Sequence, residues 1–336
     1  LPEPEAALLT GILLGSDEGI PSALMDKFRA TGTAHIIAIS GFNITIISAF
    51  LVKVFSRFLQ RYLALIAAVA AIALYAVLVG AEPPVVRAAI MGGLSALALV
   101  VGRQSDALTS LLAAAWLMTA WQPFALWDIG FQLSFAASVG LIVYSGRLAR
   151  GVQSGLSKLM STEAAKWIVG LVNDSLLVTL AAQITALPLI IHHFHQFSPL
   201  SLIANLLILP VQPTVMYLGS SAAMVGLAFR PLGQVLGWVA WLFLTYTIRI
   251  VEVMANWVGT SGAAGNIHPA VLAAYYCLLA WFTLDSTRML VSPRAIWQQL
   301  HKGMAYKAVL AVLVVALVLV WAAVAGLPDG RLHVVF

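Results

Sequence analysis

Charge is scarce in this 336-residue sequence: 9% of residues are Asp, Glu, Lys or Arg, against 61% apolar. A soluble chain of this length needs a charged outer surface, so the shortage excludes an ordinary pair of water-exposed domains. Cysteine is scarcer still. The single Cys277, in AAYYCLLAWF, excludes an intrachain disulfide and a thiolate metal cage. No GxxxxGK[ST] phosphate loop occurs, so nucleotide hydrolysis is not expected of this chain. The opening LPEPEAALLTGILLG has neither the basic start nor the small-residue cleavage site of a secretory signal, and without an initiator Met the sequence reads as an excised piece.

What is abundant is apolar sequence, with a mean hydropathy of +0.97. Runs near 35–52, 62–80, 85–101, 107–122, 131–146, 171–191, 200–218, 232–251, 269–285 and 308–325 approach the ~20 residues that a helix needs to cross hydrocarbon. The expected fold is therefore an all-α polytopic membrane protein of about ten transmembrane or re-entrant helices. Alternating sides along these runs gathers thirteen of the eighteen basic residues on one side, leaving Lys27, Arg29, Arg87, Arg249 and Arg331 on or near the other. The positive-inside rule then places both termini outside the cytoplasm.

Three connecting segments carry apolar residues at helical spacing with cations between them, and read either as helices on the membrane surface or as solvated connections. They are Leu24, Met25 and Phe28; Leu148, Val152, Leu156 and Leu159; and Trp297, Leu300 and Met304. Several apolar runs are interrupted. Ser40 and Gly41 break the first, Pro188 sits in the sixth, and Pro210 and Pro213 remove amide donors from the seventh. Irregular backbone at membrane depth is tolerated only inside protein or beside water, so these breaks mark either a substrate path or structural kinks.

Ionisable groups in apolar runs are costly, about 2.5 to 3.5 kcal/mol on insertion scales. Thr245, Arg249, Glu252 and Asn256 share a helical face on which Arg and Glu can neutralise each other. Asp174 reads as an interfacial carboxylate. Arg87 follows AEPPVV and precedes the small-residue stretch AAIMGGLSA, so it can either present its guanidinium to a phosphate or pair with Glu82. In WDIGFQLSF, Asp128, Gln132 and Ser134 offer uncharged hydrogen bonding at the start of a span, or Asp128 simply caps a helix. His192, His193 and His195 lack a fourth ligand, so no metal or other cofactor is expected.

GTAHIIAISGFNITI, residues 32–46, resembles the signature of the ComEC competence family through Gly32, Thr33, His35, Ile39, Ser40 and Gly41. Arg87 and Ala88, then DIGFQLSF at 128–135, then SPLSLIANLLILP at 198–210, follow in the family's order and at about its spacing. Many relatives carry a second His soon after Ser-Gly; here Phe42 and Asn43 stand there, and Asn43 can hydrogen-bond but cannot titrate near neutrality. The closing LPDGRLHVVF resembles the first strand of the metallo-β-lactamase-like domain that follows the membrane region in relatives, and it stops before any metal motif.

The resemblance implies a 1–34 interfacial segment, a 35–325 competence-type channel and a 326–336 start of a truncated domain. It also implies a channel passing single-stranded DNA across the bacterial cytoplasmic (inner) membrane during natural transformation, with no nuclease chemistry in this chain. Its implied partners, besides membrane lipid and the DNA strand, are a cytoplasmic helicase-like ATPase, an extracytoplasmic DNA receptor and a DNA-uptake pilus. Candidate path residues are His35, Ser40, Asn43, Arg87, Asp128, Gln132, Ser134 and Asn205. A small-solute or lipid transporter would account for broken helices and buried charge equally well, and only the ordered motifs disfavour it. An intramembrane hydrolase built on Ser40 and His35 is disfavoured by geometry, since five residues on one helix stand about 140° apart.

Overall fold

The computed structural model describes residues 1–38, 41–172, 176–198, 200–258, 262–263 and 269–288. They fall into two compact units, Leu1–Ile267 and His268–Phe336. In the first unit the helices are α1 (Glu5–Leu14), α2 (Ser22–Ala30), α3 (Gly41–Phe55), α4 (Arg61–Leu78), α5 (Pro83–Val100) and α6 (Ala107–Trp121). They continue with α7 (Ile129–Leu156), α8 (Thr162–Val172), α9 (Val178–Phe194), α10 (Ser201–Ile208), α11 (Gln212–Ala228) and α12 (Arg230–Val258). Gln196–Phe197 and Gly262–Ala263 form a two-residue antiparallel pairing. In the second unit the described helix is α13 (Pro269–Arg288), which carries an exposed Cys277.

Local sequence explains the ends of these helices. Asp106 caps α6, its carboxylate accepting from Thr109 N at 2.8 Å and from Thr109 Oγ1 at 2.7 Å. Those two bonds hold its carboxyl below the usual range. Pro83 and Pro84 open α5, where a missing N–H costs nothing. Pro210 divides α10 from α11, which meet at a 49° bend.

The first unit has three apolar clusters. Leu8 and Ile12 of α1, Phe28 of α2, Ile208 of α10, Met216 of α11 and Leu244 of α12 are fully or almost fully buried in the largest. Ile44, Ile72 and Val85 join α3, α4 and α5, and Met118 and Phe131 join α6 to α7. Glycine sets the closest helix approaches. A side chain at Gly140 would overlap the Ala181 carbonyl and the Thr185 hydroxyl of α9, and the latter donates to Ala136 O at 2.6 Å. Between α11 and α12, a Cβ at Gly233 would come within 2.8 Å of Gly226 N.

The outer surface is apolar as well: Trp121 and Leu227 are each 91% exposed, and Leu74, Val77 and Leu78 on α4 are also uncovered. A water-facing protein rarely shows so continuous an apolar surface. Together with the long apolar helices, it suggests a membrane protein.

The expected ten spans are not what the helices display. Among the described residues two helices, α7 and α12, are long and apolar enough to cross alone, each with a window of mean hydropathy 1.4, and the bent pair α10–α11 makes a possible third. Glycine and proline cut the other runs short: the first run begins as a 3-10 turn at Ala34–Ile36 before α3, and positive φ at Gly80 and Ala81 ends the second. The run at 308–325, the amphipathic segment at 294–304, the residues 326–336 and Asp174 lie outside the described residues.

Two surface-helix expectations change. Leu24 and Phe28 are buried in the main core with Met25 packed beside them, so α2 is a core element. Leu148, Val152 and Leu156 belong to the last turns of the 28-residue α7 instead of a separate helix, because no proline interrupts that stretch. The charged face of α12 forms as its spacing predicts, with Arg249 Nη1 at 3.4 Å from Glu252 Oε2. Lys27 of α2 adds a second cation, its Nζ 3.1 Å from Glu252 Oε1.

Candidate functional site

Arg87 lies one turn into α5, half-buried among α3, α5 and α7. Its Nε donates to Ser134 Oγ at 2.7 Å and its Nη1 reaches Met91 Sδ at 3.5 Å. Gly41, the first residue of α3, leaves the space for its outer end: a Cβ at Gly41 would stand 2.5 Å from Arg87 Nη2 and 3.6 Å from Ala88 Cβ. Gly41, the Arg-Ala pair and Ser134, each from a different motif, therefore meet at one guanidinium.

The electrostatics of that meeting are one-sided. Among the described residues the ion pairs are Lys27–Glu252, Arg29–Asp26 and Arg249–Glu252, so the Glu82–Arg87 pair is not formed and Arg87 has no carboxylate. The first turn of α3, beginning at Gly41 beside Arg87 Nη2, adds the positive end of a helix dipole. A cation and a helix N-terminus side by side favour an anion with several acceptor oxygens.

The neighbouring polar residues orient this region. Asp128 caps α7, its Oδ1 accepting from Phe131 N at 2.8 Å. Gly130 leaves room for that carboxylate, since a Cβ there would stand 3.0 Å from Asp128 Oδ1. Both ends of the Gln132 amide are used: Nε2 donates to Leu126 O at 2.8 Å, and Oε1 accepts from His193 Nε2 at 2.9 Å. The histidine tract is thus engaged individually, with His193 bonded to α7 and His195 in the left-handed conformation that ends α9. Among the described residues no group of three His, Cys, Asp or Glu is arranged to hold a metal.

A second meeting of motifs lies at Gly32. With φ of 69°, this residue fits against the 198–201 segment, where a Cβ would come within 2.8 Å of Ser201 Cβ and 3.2 Å of Ser198 Cβ. Ser201 Oγ accepts from Gln183 Nε2 of α9 at 3.0 Å. His35 is exposed on the 3-10 turn and donates from Nδ1 to Gly32 O at 3.1 Å. Asn43 is buried and donates to Ile12 O at 3.2 Å, satisfying a carbonyl in the last turn of α1; the Tyr75 hydroxyl donates to the adjacent Leu13 O.

Asn205 is 3% exposed and Gln212 2%, on either side of the α10–α11 bend. Among the described residues, Asn205 Oδ1 and both amide atoms of Gln212 have no hydrogen-bond partner. Of the residues singled out in the sequence, Gly41, Arg87, Ser134, Asp128 and Gln132 form one region, while His35, Asn43 and Asn205 are placed separately. Ser40 lies outside the described residues. Sequence reasoning passed over Gln183 and Gln212, although an amide within an apolar run and an amide between two prolines are both visible signals.

The family model of the Competence protein matches residues 12–289 and so takes in every one of these segments. The chain belongs to the Competence protein family. Among relatives of the competence family, ComE operon protein 3 of Bacillus subtilis (strain 168) is 29% identical over 211 residues, covering 62% of this chain and 25% of that protein. The uncharacterized protein YcaI of Escherichia coli (strain K12) is 29% identical over 221 residues, covering 62% of this chain and 28% of that protein. In both cases the matched region spans about a quarter of the competence relative's length. No solved structure is significantly similar.

Proposed function

We propose that this chain is the membrane module of a DNA-uptake protein and that it passes a single DNA strand across the bacterial cytoplasmic membrane during natural transformation. Membership of the competence family supports a role in DNA uptake. The observation that carries the channel reading is the guanidinium of Arg87, without a carboxylate among the described residues, beside the first turn of α3, a pairing suited to a phosphate in transit. Ser134, Asn205 Oδ1 and the Gln212 amide, the last two without a partner among the described residues, offer neutral hydrogen bonding for a strand whose sequence need not be read.

The work of transport comes from elsewhere in this proposal: a cytoplasmic helicase-like ATPase draws the strand, while an extracytoplasmic receptor and a pilus deliver duplex. Both termini are extracytoplasmic in the same scheme. A reporter fused after Phe336 should then be active only if it is a periplasm-type enzyme. Activity from a cytoplasm-only reporter would invert the orientation.

The test is uptake of labelled DNA by cells carrying the natural full-length protein, with Arg87→Ala, Arg87→Lys and Ser134→Ala variants at matched abundance. Internal label should be single-stranded and should fall in Arg87→Ala, with partial recovery in Arg87→Lys. Recovery of intact duplex inside, or uptake equal to wild type in Arg87→Ala, would count against the reading and favour a small-solute or lipid transporter.

A further inference from the structure

A cleft of about 550 Å³ opens on the outer side of α1, α11 and α12, away from Arg87, and its volume lies within the range of small-molecule sites. Its floor is the close approach of Gly226 and Gly233, where the two helix backbones meet with no side chain between them and form the bottom of a trough. Leu9 and Leu13 of α1 and Trp238 of α12 form apolar walls. Arg230 and Gln234 are the polar groups at its α12 end.

The direction of the cleft is set by the chain. Phe229 alone separates α11 from α12, so Arg230 stands at the tip of a helical hairpin whose exposed neighbours Leu227, Phe229 and Leu232 are apolar. From Arg230 to Trp238 the cleft runs along α12 for about 12 Å at 1.5 Å per residue, from the hairpin tip toward the middle of the helix. Among the described residues Arg230 makes no ion pair or hydrogen bond. A cation at the surface end of an apolar trough complements one ligand class, an acidic headgroup joined to a hydrocarbon tail.

We propose that this cleft is a binding site for an anionic phospholipid, with the phosphate on Arg230 and Gln234 and one acyl chain along the Gly226–Gly233 trough. The guanidinium matches two phosphate oxygens, and the glycines let the chain lie against backbone instead of over side chains. Leu1 borders the cleft, so any residues that precede it in the natural protein would be the competing occupant, which the test resolves.

The experiment uses the natural full-length protein, extracted from membranes in mild detergent, with retained phospholipid identified by mass spectrometry. Melting is then measured in phosphatidylcholine nanodiscs with and without phosphatidylglycerol. Wild type should retain anionic lipid about fivefold above its share of the membrane and melt several degrees higher with phosphatidylglycerol. Arg230→Ala should bring both values to the level of bulk lipid, and Arg230→Lys should keep most of the effect. Gly237→Leu should reduce all retained lipid by filling the trough; a Cβ there stands 3.5 Å from Leu1 Cδ2, an ordinary contact, so the added side chain starts without a backbone clash.

Equal enrichment and equal melting shifts in wild type and Arg230→Ala would overturn the proposal. So would wild type retaining only zwitterionic lipid, or retaining none, the result expected if preceding residues fill the cleft. Inorganic phosphate added to phosphatidylcholine nanodiscs should not reproduce the shift; if it does, the acyl-chain assignment fails. Should Gly237→Leu not fold, the arginine variants decide alone, because Arg230 supports no other side chain.

Discussion

Gly41 and Arg87 occupy one space between them: the glycine's missing side chain is where the guanidinium lies, 2.5 Å from the point a Cβ would take. Gly41→Ala therefore displaces the free end of a flexible side chain and leaves the backbone in place, so the fold should tolerate it at a cost of about 1 kcal/mol. DNA uptake should nonetheless fall nearly as far as in Arg87→Ala. Gly92→Ala is the control, since a Cβ there meets nothing within 4 Å. Transformation frequency at matched abundance checks both, and equal loss in the two glycine variants would dissociate Gly41 from Arg87.

Arg87→Ala should lower transformation about 10- to 100-fold, the size expected when charge-assisted hydrogen bonds of ~1.5 to 3 kcal/mol are lost from a transit site. Arg249→Ala should change it about fivefold or less, because Arg249 is an exposed partner of Glu252 and Lys27 remains to pair with that carboxylate. A larger effect at Arg249 would move the functional cation to α12.

Gln212→Met removes two buried polar atoms, and Asn205→Leu one, that have no partner among the described residues, so each should leave thermal stability unchanged or raise it by roughly 1 kcal/mol. Uptake should fall in both. Loss of stability would mean that these amides hold the α10–α11 bend through bound water, and normal uptake would take them out of the strand's path.

Asp106 provides a pH dependence with a definite sign. Its carboxyl is depressed by the bonds from Thr109, so the cap stabilises α6 fully above the unfolded value of about 3.9 and is lost as pH falls through the lower folded value. Asp106→Ala should cost about 1 kcal/mol at neutral pH and flatten the acid limb of a melting-temperature profile. An unchanged acid limb would assign acid sensitivity to another carboxylate.

The helical character was legible because apolar runs and caps are local: the 107–122 run and Asp128 appear as α6 and the cap of α7. The number of spans was not, since run length ignores where glycine and proline end a helix, as at Gly80–Ala81 and Pro210. The α12 ion pair followed from helical spacing, whereas Lys27 at Glu252 and Ser134 at Arg87 are separated by 225 and 47 residues and needed the tertiary fold. Motif order pointed to the family whose model matches residues 12–289. It could not say that Gly32 packs on 198–201 while Gly41 packs on Arg87.

Because a single residue joins α11 to α12 and glycine presses the two together, neither helix has room to enter the bilayer and wait there for the other. The pair is suited to assemble as one hairpin while the chain is being made, with its helix–helix contact formed before the rest of the fold closes on it. Lengthening the linker at Phe229 with a few glycines would then slow biogenesis and expose the nascent chain to quality-control proteases, even where the mature protein is equally stable.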